Sequence, residues 1–321
     1  MLAIGRRFIR GQSNSRIRGS LKSPKERESQ FGNYELILPD LMHLGRPTEQ
    51  LHVPSSIIKP DYSNLLPVDP HGDIPILTKE NEIQPLRDAC GIARDALQLA
   101  VDNCKLGMTT NELDKLVHQY IISKNAYPSP LNYSGFPKSI CTSINNVLCH
   151  GIPDNRQLKN GDVINIDITV YYNGFHGDTS RTIIIGEGDI QAHQLVNHTK
   201  NALDMAISMI KPGLAFCDIG CTIEEYAHKH GYTVDRNFCG HGIGRRFHQP
   251  PLILHYANNE KGVIAEGMVF TVEPILCQGG PGFVKWPDDW TVVSKDGGRS
   301  SQFEHTIMVT SSGVDVLTNY E

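Results

Sequence analysis

The feature that most constrains the fold is an internal echo. Lys105-Leu106-Gly107 precedes a segment carrying Glu112, Leu113 and Tyr120. At an offset of 106 positions, Lys211-Pro212-Gly213 precedes one carrying Asp218, Ile219 and Tyr226. The same offset relates Gly161-Asp162-Val163-Ile164-Asn165-Ile166-Asp167 to Gly267-Met268-Val269-Phe270-Thr271-Val272-Glu273. One such match could arise by chance, but two in a single register point to a duplicated α+β unit. The chain is therefore expected to fold as α+β, in two halves related by a pseudo-twofold axis. Each half would place two long helices over strands that meet in a central antiparallel sheet.

Local signals agree with this frame. Leu86, Cys90, Ala93, Leu97, Ala100, Val101 and Cys104 recur at helical spacing, and Gly107 stops that helix. Thr109-Thr110-Asn111-Glu112 is a capping box opening a second helix that runs to about Lys124. Downstream, Asn165, Asp167 and Thr169 alternate with Ile164, Ile166, Ile168 and Val170, the period of a strand with one apolar face. Asn173-Gly174 is a two-residue hairpin signal.

The amino-terminal part is different. No acidic residue precedes Glu26, whereas Arg6, Arg7, Arg10, Arg16, Arg18, Lys22 and Lys25 do. On a helical wheel Leu2, Ile4, Phe8 and Ile9 fall opposite Arg6, Arg7 and Arg10, the pattern of an organelle transit peptide. Residues 1–30 are therefore expected to be a disordered leader. Residues 31–78, rich in proline, are expected to form an extended arm, and residues 79–321 the main folded domain. The net charge of -5 argues against a dedicated nucleic-acid binder, and no apolar run reaches membrane-spanning length. The eight cysteines contain no Cys-x-x-Cys pair, so they read as reduced thiols, neither a disulfide framework nor a zinc finger.

The hairpin carries the chemistry. With Asn173-Gly174 as its turn, Thr169 pairs with Asp178, which makes Asp167 and Asp178 diagonal neighbours on one face. Two acids this close repel unless a cation or proton lies between them. Glu273 is the register equivalent of Asp167, and Glu304 is expected to answer to Asp178. Four carboxylates converging on the pseudo-axis need divalent cations to neutralise them. His241, in Gly240-His241-Gly242-Ile243-Gly244, adds a nitrogen donor to this oxygen-rich set, which favours Mn, Fe(II), Co or Zn. His150 and His248 stand close by in sequence, as neutral imidazoles able to hydrogen-bond a peptide.

These residues, taken in order, resemble the type 1 methionine aminopeptidases of the pita-bread fold. The resemblance rests on Phe136-Pro137-Lys138-Ser139, Cys149-His150-Gly151-Ile152-Pro153, Asn165-Ile166-Asp167, His176-Gly177-Asp178-Thr179, the His241 motif, Thr271-Val272-Glu273-Pro274 and Gln302-Phe303-Glu304-His305-Thr306. It covers about residues 80–321. It implies hydrolytic removal of an initiator methionine, with a small second residue preferred, by water activated at a dinuclear centre. Asp167, Asp178, His241, Glu273 and Glu304 would hold two divalent ions, with Asp178 and Glu304 shared between them. His150 would contact the substrate near the scissile amide, His248 would stabilise the oxyanion, and Glu273 would move a proton from the attacking water. The methionine pocket maps onto Tyr133, Phe136, Cys141, Phe247 and Trp290. Pro130 stands where some bacterial members carry a cysteine.

The first cysteine is Cys90, so the cysteine-rich leader of the cytosolic eukaryotic enzymes is missing. His248 and Glu273 lie too near each other for the type 2 insertion. With the basic leader and Lys59-Pro60-Asp61-Tyr62, the chain resembles the organellar branch, mitochondrial rather than plastid. Its partners would be amino-terminal segments of nascent or imported proteins, with no nucleic acid and no membrane, and the enzyme would act as a monomer. Two alternatives stay open: a related Xaa-Pro aminopeptidase or prolidase, and a binding module of this fold without catalysis.

Overall fold

The computed structural model describes residues 2–3, 21–39, 50–65 and 72–320. Most of the expected leader, and with it the Arg6–Arg18 pattern, lies outside the described residues. Where the leader was expected to end, Pro24–Phe31 forms a helix (α1). Ser23 and Glu26 cap it reciprocally, Pro24 supplies its pre-set first turn, and Phe31 is buried. The buried guanidinium of Arg299 fixes its end, donating to the Phe31 carbonyl and, at 2.7 Å, to Asp189 Oδ1.

The duplication is visible in the helices. Glu80–Asn103 (α2) and Thr110–Ser123 (α3) belong to the first half, Ile190–Met209 (α4) and Phe216–Lys229 (α5) to the second. Helices α3 and α5 begin and end at the expected 106-residue offset. Gly107 (φ 82°) and Gly213 (φ 91°) precede them in the left-handed region that favours glycine. The capping box of Thr109 and Glu112 is present.

Five strands position the site: Val163–Tyr172 (β1), Phe175–Ile184 (β2), Phe238–Gly242 (β3), Val269–Val272 (β4) and Glu304–Val309 (β5). In space they run β3-β4-β5-β2-β1, each antiparallel to the next. Asn173 (φ 48°) and Gly174 (φ 86°) make the turn between β1 and β2, and Thr169 does pair with Asp178. Ile164, Ile166, Ile168 and Val170 pack beneath α2 and α3 with Ala93, Leu97, Leu113, Val117 and Ile121. In the second half Phe270, Val272 and Ile307 pack with Leu203, Ile207, Ile219 and Ile223 of α4 and α5. Each such side chain, fully buried, stabilises by about 1.5–3 kcal/mol. The opposite face of the sheet, with both halves' apolar faces so covered, carries the polar residues. Gly177 lets α2 approach β2 closely, since a Cβ there would lie 2.5 Å from the Cys90 amide nitrogen.

The two halves join between β2 and β5, where the ladder is short: Glu304 opposes Ser180 and His305 opposes Thr179. Where it would continue, the Thr306 hydroxyl takes over. It accepts from the Asp178 amide (3.1 Å) and donates to the Asp178 carbonyl (2.8 Å).

Candidate metal centre

Asp167 and Asp178 project from β1 and β2, Glu304 opens β5, Glu273 directly follows β4, and His241 lies in β3. Val272 pairs with His305 and Ile275 with Gln302, so the register sets Glu273 opposite Glu304. Glu304 is therefore displaced by two residues from the true mirror position of Asp178, which Gln302 occupies. Gln302 Nε2 donates to Glu273 Oε2 at 3.2 Å. His241 Nε2 lies 3.7 Å from Asp178 Oδ2 and 3.5 Å from Glu273 Oε1. Donor atoms of Asp178, His241 and Glu304 all fall within 4.8 Å of one another. The glycines flanking His241 serve close packing: a Cβ on Gly240 would sit 2.3 Å from the Thr271 carbonyl oxygen, and one on Gly242 2.0 Å from that of Pro250.

The electrostatics identify what this cluster lacks. All four acids are buried or nearly so, and burial raises the pKa of each. Mutual repulsion adds to burial for Asp167, Glu273 and Glu304. His241 gives no positive charge in return, because burial holds its pKa well below the usual value. Its Nδ1 lies 3.1 Å from the Gly242 carbonyl, which can only accept, so that nitrogen carries the proton. The Nε2 lone pair then faces the carboxylates. Lone pair against anions is unfavourable without a cation or a proton between them, and this donor set of oxygens and one imidazole nitrogen suits a divalent metal. Hydroxyls orient the acids: Thr169 donates to Asp178 Oδ1 (2.7 Å) and Thr271 to Glu273 Oε1 (2.8 Å).

Beside the acids is a cavity that opens to solvent. Asp167, Asp178 and Thr169 form its floor, and Tyr133, Phe136, Cys141, Phe247 and Trp290 its walls, with Pro130, His150 and His248 completing the lining. Phe136 meets Trp290 edge-on at 5.1 Å and Tyr133 meets Phe247 at 4.8 Å. These aromatic walls with the Cys141 thiol suit a flexible apolar side chain. His150 has left-handed backbone (φ 56°), uncommon for a residue with a Cβ, and its ring stands edge-on to Phe238 (5.2 Å) and Trp290 (5.8 Å). Burial lowers its pKa to about 3, so it is neutral. His248 Nδ1 lies 2.7 Å from the Tyr133 hydroxyl. With Tyr133 donating there, the imidazole carries its proton on Nε2.

All twelve residues singled out in the sequence thus meet at one place. Several others there escaped that reading. Thr169 and Thr271 share strand faces with Asp167 and Glu273, a signal that period-two alternation does carry. Thr306 and Gln302 sit within a recognised motif without an assigned role. His255, whose Nε2 accepts from the Glu273 amide at 3.1 Å, left no sequence signal.

Comparison with known proteins agrees. The profile of Metallopeptidase family M24 matches residues 84–311. The human "Methionine aminopeptidase 1D, mitochondrial" is 47% identical over 311 residues, 97% of this chain and 90% of that protein. "Methionine aminopeptidase 1B, chloroplastic" of Arabidopsis thaliana is 50% identical over 276 residues, covering 85% and 74% of the two chains. Among solved structures, the methionine aminopeptidase of Rickettsia prowazekii superposes with a TM-score of 0.75 at 46% identity, over 77% of this chain and all of that one. The duplicated halves around a curled antiparallel sheet are the pita-bread fold expected from the sequence. The chain belongs to metallopeptidase family M24 and, within it, to the methionine aminopeptidases.

Proposed function

We propose that Asp167, Asp178, His241, Glu273 and Glu304 hold two divalent ions, and that the adjoining cavity receives an amino-terminal methionine whose peptide bond is hydrolysed there. The observation that carries this reading is the juxtaposition of a buried anionic donor set with a pocket of aromatic rings and a thiol. Once bound, the ions would supply an acidified water and a Lewis acid for the scissile carbonyl. The chain's own groups do the rest. Tyr133, Phe136, Cys141, Phe247 and Trp290 enclose the thioether and exclude water around it. His248, protonated on Nε2, donates to the carbonyl oxygen as charge builds there. His150 donates to or accepts from the scissile amide. Glu273, held by Thr271 and Gln302, receives the proton of the attacking water and returns it to the leaving amine.

The enzyme acts on the amino termini of proteins in the mitochondrion, as its relatives named mitochondrial and the acid-free basic leader support. A small second residue, a monomeric state, and Co, Mn, Fe(II) or Zn as the ion are parts of the proposal. So is the division into leader, arm and catalytic domain. The deciding experiment measures methionine release from Met-Ala-Ser by metal-stripped enzyme, then with each ion restored. Activity should vanish on stripping and return with ion. Preference for an Xaa-Pro peptide over Met-Ala-Ser would favour the prolidase alternative. Absence of any bindable ion would favour a binding module.

A further inference from the structure

Residues 50–65 of the arm enter the molecule behind the pocket wall. Tyr62 is buried within the short 3-10 turn Asp61–Asn64, clustered with Val53, Ile57, Tyr127 and Phe247. Its hydroxyl donates to the Ser129 carbonyl at 2.8 Å. Ser129 is tied in turn to the metal-bearing strand, its amide donating to the Thr169 carbonyl at 2.9 Å, and to His176 through a 2.8 Å contact with Nδ1. The Tyr62 ring meets Tyr133 edge-on at 4.9 Å and lies parallel to His176 at 6.1 Å. His176 stacks on Phe247 at 5.4 Å, and Phe247 meets Tyr133 at 4.8 Å, so the four rings close on one another.

Two of these rings hold His248. Phe247 stacks on it at 4.1 Å, and the Tyr133 hydroxyl meets its Nδ1 at 2.7 Å. The arm also supports Tyr133 from the chain side: the Ser63 carbonyl accepts from Asn132 Nδ2 at 2.8 Å, and Asn132, the preceding residue, has left-handed backbone (φ 65°). Tyr62 itself lies outside the cavity lining, one ring removed from the substrate.

We propose that Tyr62 is a positioning residue for the peptide-bond step, fixing Tyr133 and, through the Tyr133 hydroxyl, the tautomer and aim of His248. This rests on the reading of His248 as the donor to the scissile carbonyl. The arm is on this view part of the active site, since loss of ring packing behind Tyr133 frees its hydroxyl to wander from Nδ1. Misplacement of a hydrogen-bond donor by a fraction of an ångström weakens it where charge develops, in the transition state more than in the bound substrate.

The test uses the full-length chain loaded with cobalt, in the variants Tyr62→Phe, Tyr62→Leu, Tyr133→Phe and Tyr62→Leu/Tyr133→Phe. Tyr62→Leu should lower kcat on the order of tenfold while KM and the binding of free methionine change less than about threefold. Tyr62→Phe, which keeps the ring, should stay near wild type. The double variant should be no worse than Tyr133→Phe alone, because both act through one hydroxyl. A methionine phosphonate, mimicking the tetrahedral centre, should lose affinity in Tyr62→Leu in parallel with kcat. Multiplying effects in the double variant, or a loss of methionine binding matching the loss of kcat, would mean that Tyr62 only packs the pocket. Should Tyr62→Leu fail to fold, Tyr133→Phe with unchanged kcat suffices to overturn the link. Imidazole nitrogen shifts of His248, read by NMR, separate this proposal from the functional one. They should show the Nε2–H tautomer in the wild type and a mixture in Tyr62→Leu whether or not methionine is released, and an unchanged tautomer overturns the proposal.

Discussion

Thr306→Val tests how the two halves are joined at the metal centre. Valine keeps the shape of threonine, so the substitution removes little volume from a site that is wholly buried. It removes the hydroxyl that accepts from the Asp178 amide and donates to the Asp178 carbonyl. Both backbone groups are then left without that partner in the interior. Orphaning a buried polar group costs roughly 1–3 kcal/mol, so the pair predicts a loss of about 2–6 kcal/mol. For a domain of this size 1 kcal/mol corresponds to about 2–4 °C in melting temperature, which puts the expected drop at roughly 4–24 °C. Asp178 should also loosen its hold on metal, because its backbone is what Thr306 pins. Scanning calorimetry with and without divalent ion, and titration calorimetry for the ion, would measure both effects. Thr306→Ser restores the hydroxyl and should recover most of the metal affinity. A melting temperature for Thr306→Val within about 2 °C of wild type, with unchanged metal affinity, would refute the reasoning.

Two further outcomes follow from the site. In the metal-free protein, burial lifts the acids' pKa values, Asp178 to about 6 and Asp167 and Glu273 to about 8, above the unfolded values near 4. The folded chain therefore holds more protons than the unfolded one between those limits, and stability falls as pH rises through them. His150, His176 and His255, lowered by burial to about 3, work in the opposite sense, but only below the unfolded value near 6.5. Between pH 6.5 and 8 the acids dominate: melting temperature with chelator should fall with pH, and saturating divalent ion should abolish that fall. A flat chelator profile would contradict it. Separately, His150→Ala should cut kcat by roughly 10²-fold, the usual cost of one positioned proton-transfer or hydrogen-bonding group at the reacting bond, while leaving metal stoichiometry unchanged. Equal loss of metal would make His150 a ligand.

Much of this architecture is legible in local chemistry. Capping at Thr109, the Asn173-Gly174 turn and the alternation from Val163 to Val170 are each decided by neighbours in sequence, so they could be read directly. The 106-residue echo lifted those local readings to a topology. What escaped depends on register between strands far apart in the chain. Nothing local shows that Ile275 pairs with Gln302, so Glu304 looked like the mirror of Asp178 when Gln302 holds that position. His255 and Thr306 act on backbone groups of Glu273 and Asp178, contacts that leave no spacing to recognise. The arm showed the same limit: its prolines indicated an extended path, but only the fold brings Tyr62 to Tyr133.

The second half departs from the symmetry beside the metal centre. In the first half, β1 and β2 are joined by two residues, and nothing intervenes at the tip of the hairpin. In the second half the equivalent pairing continues from β4 through Ile275–Cys277 against Ser300–Gln302, then opens into residues 278–299. That insertion builds its own hairpin, Phe283–Lys285 against Val292–Ser294, with Trp290 in its turn. Its second strand pairs with Val147–Cys149, the segment that leads directly into His150. The long connection therefore places Trp290, and its backbone pairing anchors the segment that leads into His150. The symmetric part of the chain supplies the acids, which need only converge. The asymmetric insertion supplies the Trp290 side of the wall and anchors the segment before one of the two histidines, because recognition of one end of a peptide requires a site with two different sides.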